Sequence, residues 1–437
     1  MKDISRRKFL KYLGAGAVGI IAKPKIPFTT KINGSRASDV IQCFDENATT
    51  GTSINESVVQ IMMDESIKTL TGITDVGEAW KSIFPGINEN KIISIKVNCI
   101  NSSVPTNPEF VNCIVNGLTQ MEFGAQNFIR NNIIIWDRSD WELSSSGYTI
   151  YDGSDPHTVR CFGTSHSGVG YDYTCPLTVP GGPTYPSRIM SLMSDYLINA
   201  AVLKNHDTAQ VTLAMKNHYG SVSPVPSHSG HCNPAIPALN QQIRDVITPN
   251  NIQKIFIIDA LYGSILYGPG GSANCNPKKL IMSLDTVACD YRGWEVINEE
   301  RILHGWSIIQ WPIDHIETAE QSPYSLGTTD INLIEINNPS TIEESKTIIL
   351  TNGVLKVAPN PFRTRTTITF SLKRNSAVHL DLINTTGRII GKVYSGQLNK
   401  GIHRINYNLN KKFSAGHYFI RLYNQGQTQV KKVTILQ

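Results

Sequence analysis

The sequence lacks the local motifs on which several enzyme classes depend. Its cysteines form no C-x-x-C pair and no ferredoxin-like run, which argues against an iron–sulfur cluster held by a local motif. It contains no G-x-x-x-x-G-K-[ST] loop and no G-x-S-x-G elbow, so a P-loop nucleotide site and serine hydrolase chemistry are both disfavoured. Chemistry in this chain must therefore be sought in residues that the fold brings together.

Long apolar runs are also missing. Nothing after residue 22 could form a transmembrane helix, so we expect no integral membrane span in the mature chain. Before that point, Arg6-Arg7 is followed by Phe9-Leu10-Lys11 and a short run rich in Gly and Ala at 13–22. This layout resembles a twin-arginine export signal, with an uncleaved anchor or an amphipathic helix as the alternatives. The resemblance implies export by the twin-arginine translocase in the folded state, a route often used when a cofactor is inserted first.

Charge is distributed unevenly along the 437 residues. Of the formal net charge of +5, residues 1–22 contribute +4 and residues 351–437 contribute +13, which leaves −12 for the central region. An acidic central region is a poor candidate for nucleic-acid binding, so we expect no nucleic-acid partner. Length and composition together predict four parts: a signal and N-terminal segment at 1–37, an α/β domain at 38–315, a linker at 316–350 and a C-terminal module at 351–437.

All eight cysteines lie in the central region, and an even number in an exported protein is typical of disulfide bonding. We therefore expect some disulfides among the following residues: Cys43, Cys99, Cys113, Cys161, Cys175, Cys232, Cys275 and Cys289.

The C-terminal module consists of short alternating segments broken by turn residues, which predicts a small all-β, Ig-like antiparallel sandwich. It resembles the type A sorting domain of the type IX secretion (Por) system in four ordered blocks: Ala358-Pro359-Asn360-Pro361-Phe362, Asn384-Thr385-Thr386-Gly387-Arg388, Ser414-Ala415-Gly416-His417-Tyr418-Phe419 and Lys431-Lys432-Val433. The resemblance implies the type IX machinery as a partner, a Bacteroidetes-like cell, and passage through the periplasm to the outer surface or the medium. The alternative is an adhesive Ig-like domain that stays in the mature protein.

The central region alternates between strand and helix patterns, which predicts an α/β domain with a mostly parallel sheet flanked by helices. We predict strands at 91–97, 132–136, 254–258 and 280–284, and a buried apolar run at 197–203. Helices are predicted at 55–70, 108–121, 208–217 and 286–298, the last capped by Asp285. The apolar stretch 331–336 is a candidate final strand of this domain.

Polar residues stand where these strands end, and ligands of open α/β sheets bind beyond the carboxyl ends of strands. The residues are Lys96, Asn98, Asp137, Lys204, Asn205, His206, Asp259 and Asp285. Each alone is explained as a cap or turn former, but together they favour a site. Lys96, Lys204 and Lys216 could neutralise an anionic ligand such as a carboxylate or phosphate. A cluster of lysines at the strand ends of an otherwise acidic domain needs an explanation, and such a ligand supplies one.

Two further segments suggest specific chemistry. His218, His228, His231 and Cys232 fall within fifteen residues and could hold zinc or another transition metal, although their spacing matches no standard zinc motif and loop histidines are commonly solvated. The strand-end residue Asp259 precedes a loop with Gly268 and Gly270 that permits close backbone approach to a ligand. That segment has no G-x-G-x-x-G, and glycines needed only for turns explain it equally well.

Residues 55–300 contain seven ordered blocks: Gly77-Glu78-Ala79-Trp80, Ile95-Lys96-Val97-Asn98, Pro105-Thr106-Asn107-Pro108-Glu109, Leu203-Lys204-Asn205-His206, Leu213-Ala214-Met215-Lys216-Asn217-His218-Tyr219-Gly220, Gly268-Pro269-Gly270-Gly271 and Leu284-Asp285-Thr286-Val287-Ala288-Cys289-Asp290. In these blocks the chain resembles the domain-of-unknown-function family 362. The resemblance implies little about mechanism. Some members carry ferredoxin-type clusters, and this sequence lacks the cysteine runs that would hold them.

Three functions are compatible with these patterns. The first is an exported enzyme that depends on a ligand or cofactor and binds a small molecule through Lys96, Asn98, Lys204, Asn217, Gly268, Gly270 and Asp285. Its candidate catalytic residues are Lys216, His218 and Asp259: Lys216 would bind the anionic group together with Lys96 and Lys204, and Asp259 or His218 would act as acid or base. The second is a cell-surface protein that captures a metal or a small anion without turnover. The third is a structural surface protein.

Overall fold

The computed structural model describes residues 37–247, 252–340 and 355–436, the last range with gaps at 359, 373–374, 385–387, 400, 410–412 and 425–426. The predicted signal at 1–22 and residues 341–350 of the predicted linker lie outside the described residues. Within these ranges, no helix has both the length and the apolar character that a bilayer crossing requires.

The central domain is built on a nine-stranded sheet. Its strands are β1 (Ser38–Phe44), β2 (Ile93–Lys96), β3 (Ile133–Trp136), β4 (Arg160–Cys161), β5 (Tyr196–His206), β6 (Gln210–Thr212), β7 (Gln253–Ser264), β8 (Lys279–Ser283) and β9 (Ile331–Asn337). Their order is β9-β1-β8-β7-β5-β2-β3-β4, with β6 paired to β5. Neighbours run parallel except at β1–β8, β8–β7 and β5–β6, so the sheet is mixed and mostly parallel, as predicted.

Helices cover both faces of the sheet. They are α1 (Glu56–Thr71), α2 (Val76–Ile83), α3 (Pro108–Leu118), α4 (Asp140–Ser145), α5 (Arg188–Leu192), α6 (Ala214–Asn217), α7 (Ala235–Val246), α8 (Thr286–Leu303) and α9 (Asp314–Glu320). Successive strand residues point to opposite faces, so Ile257 joins the core under α1 to α3 while Ile258 joins the core under α6 to α9. Burial on both faces explains why the central strands are continuous apolar runs rather than alternating ones.

Most predicted helices and strands are confirmed. The predicted N-cap of α8 is also confirmed, because Asp285 accepts a hydrogen bond from the amide of Ala288 at 2.9 Å. The prediction of a helix at 208–217 is wrong in its first half. Gln210 has a left-handed backbone (φ 68°), and β6 then turns back to pair with the end of β5. Only α6 is helical, because pairing with β5 outweighs the local helical pattern.

The stretch 331–336 is a strand of the large sheet, as anticipated. It lies within β9, which pairs in parallel with β1, so the sheet of the central domain extends to Asn337. All eight cysteines fall in the described ranges and are free thiols there, so the expectation of disulfides is not met. Most are buried as small apolar side chains instead.

The C-terminal module has seven strands: β10 (Lys356–Ala358), β11 (Arg365–Leu372), β12 (Ser376–Ile383), β13 (Ile389–Leu398), β14 (Gly401–Asn408), β15 (Gly416–Asn424) and β16 (Gln427–Ile435). They form two antiparallel sheets, β10-β11-β14 and β13-β12-β15-β16. Inward residues of both sheets, including Ile368, Leu380 and Leu422, share one core. The predicted all-β sandwich is therefore confirmed.

Candidate functional site

The carboxyl ends of three neighbouring parallel strands, β5, β2 and β3, meet at one edge of the sheet. A cleft of ≈ 270 Å³ lies there and is lined by seven of the residues singled out from the sequence: Lys96, Asn98, Asp137, His206, Lys216, Asn217 and His228. Because ligands of open α/β sheets bind at this edge, the cleft is the candidate functional site.

A buried ion pair forms the floor of the cleft. Lys96, 1% exposed, donates to Asp137 Oδ1 at 2.6 Å and to the carbonyl of Val97 at 2.7 Å. The other oxygen of Asp137 accepts from the amide of Cys99 at 2.6 Å. Each charge is thus paired and hydrogen-bonded, which is the condition under which buried ions are tolerated.

Two asparagines connect this pair to a second buried lysine. Asn217 Oδ1 accepts from Lys96 Nζ at 3.3 Å and from Asn98 Nδ2 at 3.3 Å. Asn98 Oδ1 in turn accepts from Lys204 Nζ at 3.0 Å. Burial lowers the pKa of Lys204 from 10.5 to about 8. Lys204 does not line the cleft, and it contributes through its hydrogen bond to Asn98, which does.

Lys216 is the buried cation of the cleft that has no carboxylate partner. Its Nζ lies 3.3 Å from His228 Nε2 and 3.9 Å from the centroid of the Tyr219 ring. Within the part of the chain that the structure describes, no ion pair includes this ammonium group. Burial lowers its pKa from 10.5 to about 8.

The position of Lys216 is fixed by the backbone that carries it. It lies on α6, whose first amides are held by Asp290: Ala214 N donates to Oδ1 at 2.7 Å and Met215 N donates to Oδ2 at 3.0 Å. Burial raises the pKa of Asp290 to about 7.

Two imidazoles lie beside Lys216. The rings of His206 and His228 stack with centroids 6.2 Å apart. His206 Nδ1 accepts from the amides of Thr208 at 3.0 Å and Ala209 at 3.1 Å, which places the proton of the neutral ring on Nε2. Burial and the charge of Lys216 lower the pKa of His206 to about 4 and also lower that of His228. Both rings are therefore neutral at pH 7.

His218 and Asp259 lie outside the cleft lining. His218 is fully buried, with Nε2 2.7 Å from Gln253 Oε1 and Nδ1 3.0 Å from Ser221 Oγ. Asp259 Oδ2 accepts from the backbone amide of Asn107 at 2.9 Å and from its Nδ2 at 2.7 Å. Burial raises the pKa of Asp259 to about 6. Both side chains therefore form hydrogen bonds within the protein interior. Asp285 is likewise engaged elsewhere, as the N-cap of α8.

The four residues predicted as metal ligands do not converge. His231 has a left-handed backbone (φ 58°), and its ring Nδ1 lies 2.7 Å from the Asp314 carboxylate, while His218 faces the interior. Cys232 is buried, with Sγ 3.8 Å from the carbonyl of His228. Among the residues that the structure describes, no group of three or more His, Cys, Asp or Glu side chains is arranged to hold a metal ion.

The predicted glycine loop forms part of the cleft wall through Pro269. Gly268 is required by close packing, because a Cβ there would lie 1.9 Å from the carbonyl oxygen of Asn205. Asn101 Nδ2 donates to the carbonyls of Pro269 and Gly271, both at 2.8 Å. Gly270 has open space around its Cα.

Sequence reasoning missed several lining residues or recognised them only as strand ends. Asp137 and His206 were named only as members of the strand-end set, Asp137 because it directly follows the apolar strand at 133–136, and no separate role was predicted for either. Arg138 pairs with Glu142 one turn along α4, and Tyr219 stands within the motif that contains Lys216. No pattern in the sequence connects Arg138 to the other lining residues.

Comparison with known proteins identifies both folded parts. The family described as "Domain of unknown function (DUF362)" matches residues 93–295, and the family described as "Secretion system C-terminal sorting domain" matches residues 356–436. No curated protein matches the chain.

Two solved structures share little with it. An alkylpurine DNA glycosylase (AlkC) of Pseudomonas fluorescens, bound to DNA containing an abasic site analogue, is 13% identical over 34% of this chain and 47% of its own, with a TM-score of 0.15. An engineered protein is 9% identical over 91% of this chain and 93% of its own, with a TM-score of 0.16. The chain thus spans about half the length of the glycosylase. The two family matches carry the assignment: residues 93–295 of the central domain match the domain-of-unknown-function family 362, and residues 356–436 match the secretion system C-terminal sorting domain.

Proposed function

We propose that this exported protein binds a small anionic molecule in the cleft of its central domain, with Lys216 as the anchoring cation. The sorting domain indicates export through the type IX secretion machinery, to the cell surface or the medium. The observation that carries the proposal is that the buried Lys216 lines the cleft and has no carboxylate partner among the described residues.

The charges of the cleft support an anion over a cation or a neutral ligand. Lys96 is neutralised by Asp137, and Arg138 is neutralised by Glu142. The ammonium group of Lys216 therefore leaves an excess of one positive charge. Burying an unpaired charge is unfavourable, and a bound carboxylate or phosphate would remove that penalty while gaining charge-assisted hydrogen bonds.

Acid–base catalysis on the bound anion is the second candidate function. It rests on the 3.3 Å contact between Lys216 Nζ and His228 Nε2. A lysine with a pKa of about 8 can donate a proton near neutral pH, and a neutral imidazole beside it can accept one. His218 and Asp259 have no part in this proposal, because neither lines the cleft.

Calorimetric titration of the full chain with inorganic phosphate and with acetate at pH 7 tests the binding proposal. We expect saturable binding of at least one anion, weakened tenfold or more in Lys216→Met. Lys254→Met is the matched control, because Lys254 is the second residue of β7 and lies outside the cleft lining. Equal affinity in both variants, or no binding to the native protein, would reject the anion site. The catalytic candidate is tested with His228→Gln. This variant should still bind the anionic ligand but should no longer convert it.

The route of export is a separate proposal. We propose that Arg6-Arg7 directs the chain to the twin-arginine translocase, with the periplasm as an intermediate location. The replacement Arg6→Lys with Arg7→Lys should prevent delivery to the surface or the medium, measured by immunoblotting of cell fractions. The control Lys8→Arg with Lys11→Arg keeps the charge and leaves the arginine pair intact. Undiminished export of the Arg6/Arg7 variant would exclude this route.

A further inference from the structure

The wall of the cleft opposite its charged floor is apolar and faces solvent. Ile100 is 57% exposed and Val225 is 42% exposed, and both line the cleft together with Pro269. Single exposed apolar residues are common on protein surfaces and need no explanation. Here they share one concave surface with a buried cation, which is the composition of a small-molecule site.

Hydrogen bonds hold both sides of this wall in place. Asn101, next to Ile100, donates to the carbonyls of Pro269 and Gly271 and so fastens the loop after β2 to the glycine loop. On the other side, Thr184 Oγ1 donates to the carbonyl of Pro224 at 2.6 Å.

The segment with Val225 is tied a second time, because the Tyr219 hydroxyl donates to the carbonyl of Ser227 at 2.9 Å. The apolar surface is therefore formed before any ligand arrives, and a pre-formed surface lowers the entropic cost of binding.

We propose that the ligand is an amphipathic anion: a carboxylate or phosphate head that meets Lys216, joined to a short apolar body that packs against Ile100, Val225 and Pro269. This inference rests on the proposed anion site and specifies the class of molecule that fills it. A cleft of ≈ 270 Å³ is near the lower end of the range for drug-sized ligands, about 300–1,000 Å³, so the apolar body is short.

Inorganic anions would leave this wall exposed to water. An alkyl chain would bury it, and each buried CH₂ group strengthens binding by about fourfold. A neutral molecule of the same shape would gain the apolar contact and leave the charge of Lys216 without a partner. Only an amphipathic anion uses both parts of the cleft.

Titration of the full chain with acetate, butanoate and hexanoate at pH 7 tests this inference, with 1-hexanol as the uncharged probe. We expect butanoate, which has two more CH₂ groups, to bind about sixteenfold more tightly than acetate. Hexanoate should bind at least as tightly as butanoate, and hexanol more weakly than hexanoate.

Ile100→Ser with Val225→Ser should abolish the gain from chain length and leave acetate binding unchanged. Ile302→Ser is the matched control, since Ile302 is 51% exposed and lies outside the cleft lining.

The outcomes separate the two proposals. If acetate binds through Lys216 but hexanoate binds no better, the anion site stands and the amphipathic ligand is rejected. The same conclusion follows if the double serine variant keeps the full gain from chain length. If no alkanoate and no phosphate binds, the anion site itself fails and this inference falls with it.

Discussion

Lys96 Nζ and Asp137 Oδ1 lie 2.6 Å apart at the ends of two neighbouring parallel strands, with both side chains almost fully buried. Removing one partner of a buried pair leaves an uncompensated charge and typically costs about 3–5 kcal/mol. We therefore expect Asp137→Asn to lower the free energy of unfolding of the central domain by roughly that amount. Urea unfolding followed by tryptophan fluorescence reports on this domain alone, because all six tryptophans lie between residues 80 and 311.

The control for Asp137→Asn is the same substitution in an exposed ion pair. Asp245 pairs with Arg244 at 2.6 Å on the surface, and such pairs contribute about 0–1 kcal/mol. Asp245→Asn should therefore change stability little. Equal losses in the two variants would show that burial does not decide the contribution of Lys96–Asp137.

Lys216→Met is expected to stabilise the protein at pH 7. The folded chain holds the pKa of Lys216 near 8, while the unfolded chain titrates near 10.5, so below pH 8 the folded state carries the cost of a buried charge. Removing it should raise the free energy of unfolding by roughly 1–3 kcal/mol.

The advantage of Lys216→Met over the native chain should also depend on pH. Between pH 8 and 10.5 the unfolded native chain binds a proton that the folded chain has lost, so native stability rises with pH and the advantage shrinks. Urea midpoints from pH 7 to 10.5 measure both effects. A difference that stays constant across this range would contradict the titration of Lys216.

Anion binding should weaken as the pH rises above about 8, because Lys216 then loses its charge. Acetate remains ionised throughout, and His206 and His228 are already neutral at pH 7. Calorimetric titrations with acetate at pH 7, 8 and 9.5 would measure the fall. Lys204 also has a pKa near 8, so Lys204→Met serves as the control and should keep the same pH profile.

The two glycines of the predicted ligand loop should respond differently to substitution. Gly268→Ala would bring a Cβ to 1.9 Å from Asn205 O, so we expect a loss of about 1–3 kcal/mol in unfolding free energy. Gly270→Ala meets open space and should change stability by less than about 0.5 kcal/mol. Thermal unfolding of the two variants measures the contrast, and equal stability would mean that the loop does not pack against Asn205.

Thiol reactivity should reveal a chain without disulfides. Cys175 is the partly exposed cysteine and the other seven are buried, so a thiol reagent should label Cys175 first in the native protein. In denaturant all eight cysteines should react without prior reduction. Mass spectrometry of the labelled protein gives both counts, and fewer than eight labels in denaturant would show that disulfides form after export.

The sequence predicted the architecture well, because long apolar runs and capping residues act locally. The run at 133–136 predicted a strand, and Asp285 followed by an apolar segment predicted the start of a helix, and the structure has both. The edge of the sheet at which Lys96 and Asn98 stand also followed from the strand pattern. The segment 208–217 was mispredicted because its pairing partner, the end of β5, was not evident from its own residues.

The site was predicted less completely, since spacing in sequence does not fix the direction of a side chain. His218 and Lys216 are two residues apart on the same short helical segment, yet Lys216 lines the cleft and His218 is bonded to Gln253 in the interior. His228 joins the cleft while His231 turns away to pair with Asp314. These directions depend on tertiary packing that no local pattern encodes.

By itself, then, the sequence determined the strand and helix pattern of the central region, the all-β pattern of the C-terminal module and the lysines that follow the strands, because periodicity, capping and charge are properties of neighbouring residues. Only the tertiary structure decided that Lys96 is neutralised by Asp137, 41 positions away, while Lys216 is left without a carboxylate. Charge neutralisation requires contact within a few ångströms, and the fold alone determines which carboxylate comes that close to each lysine.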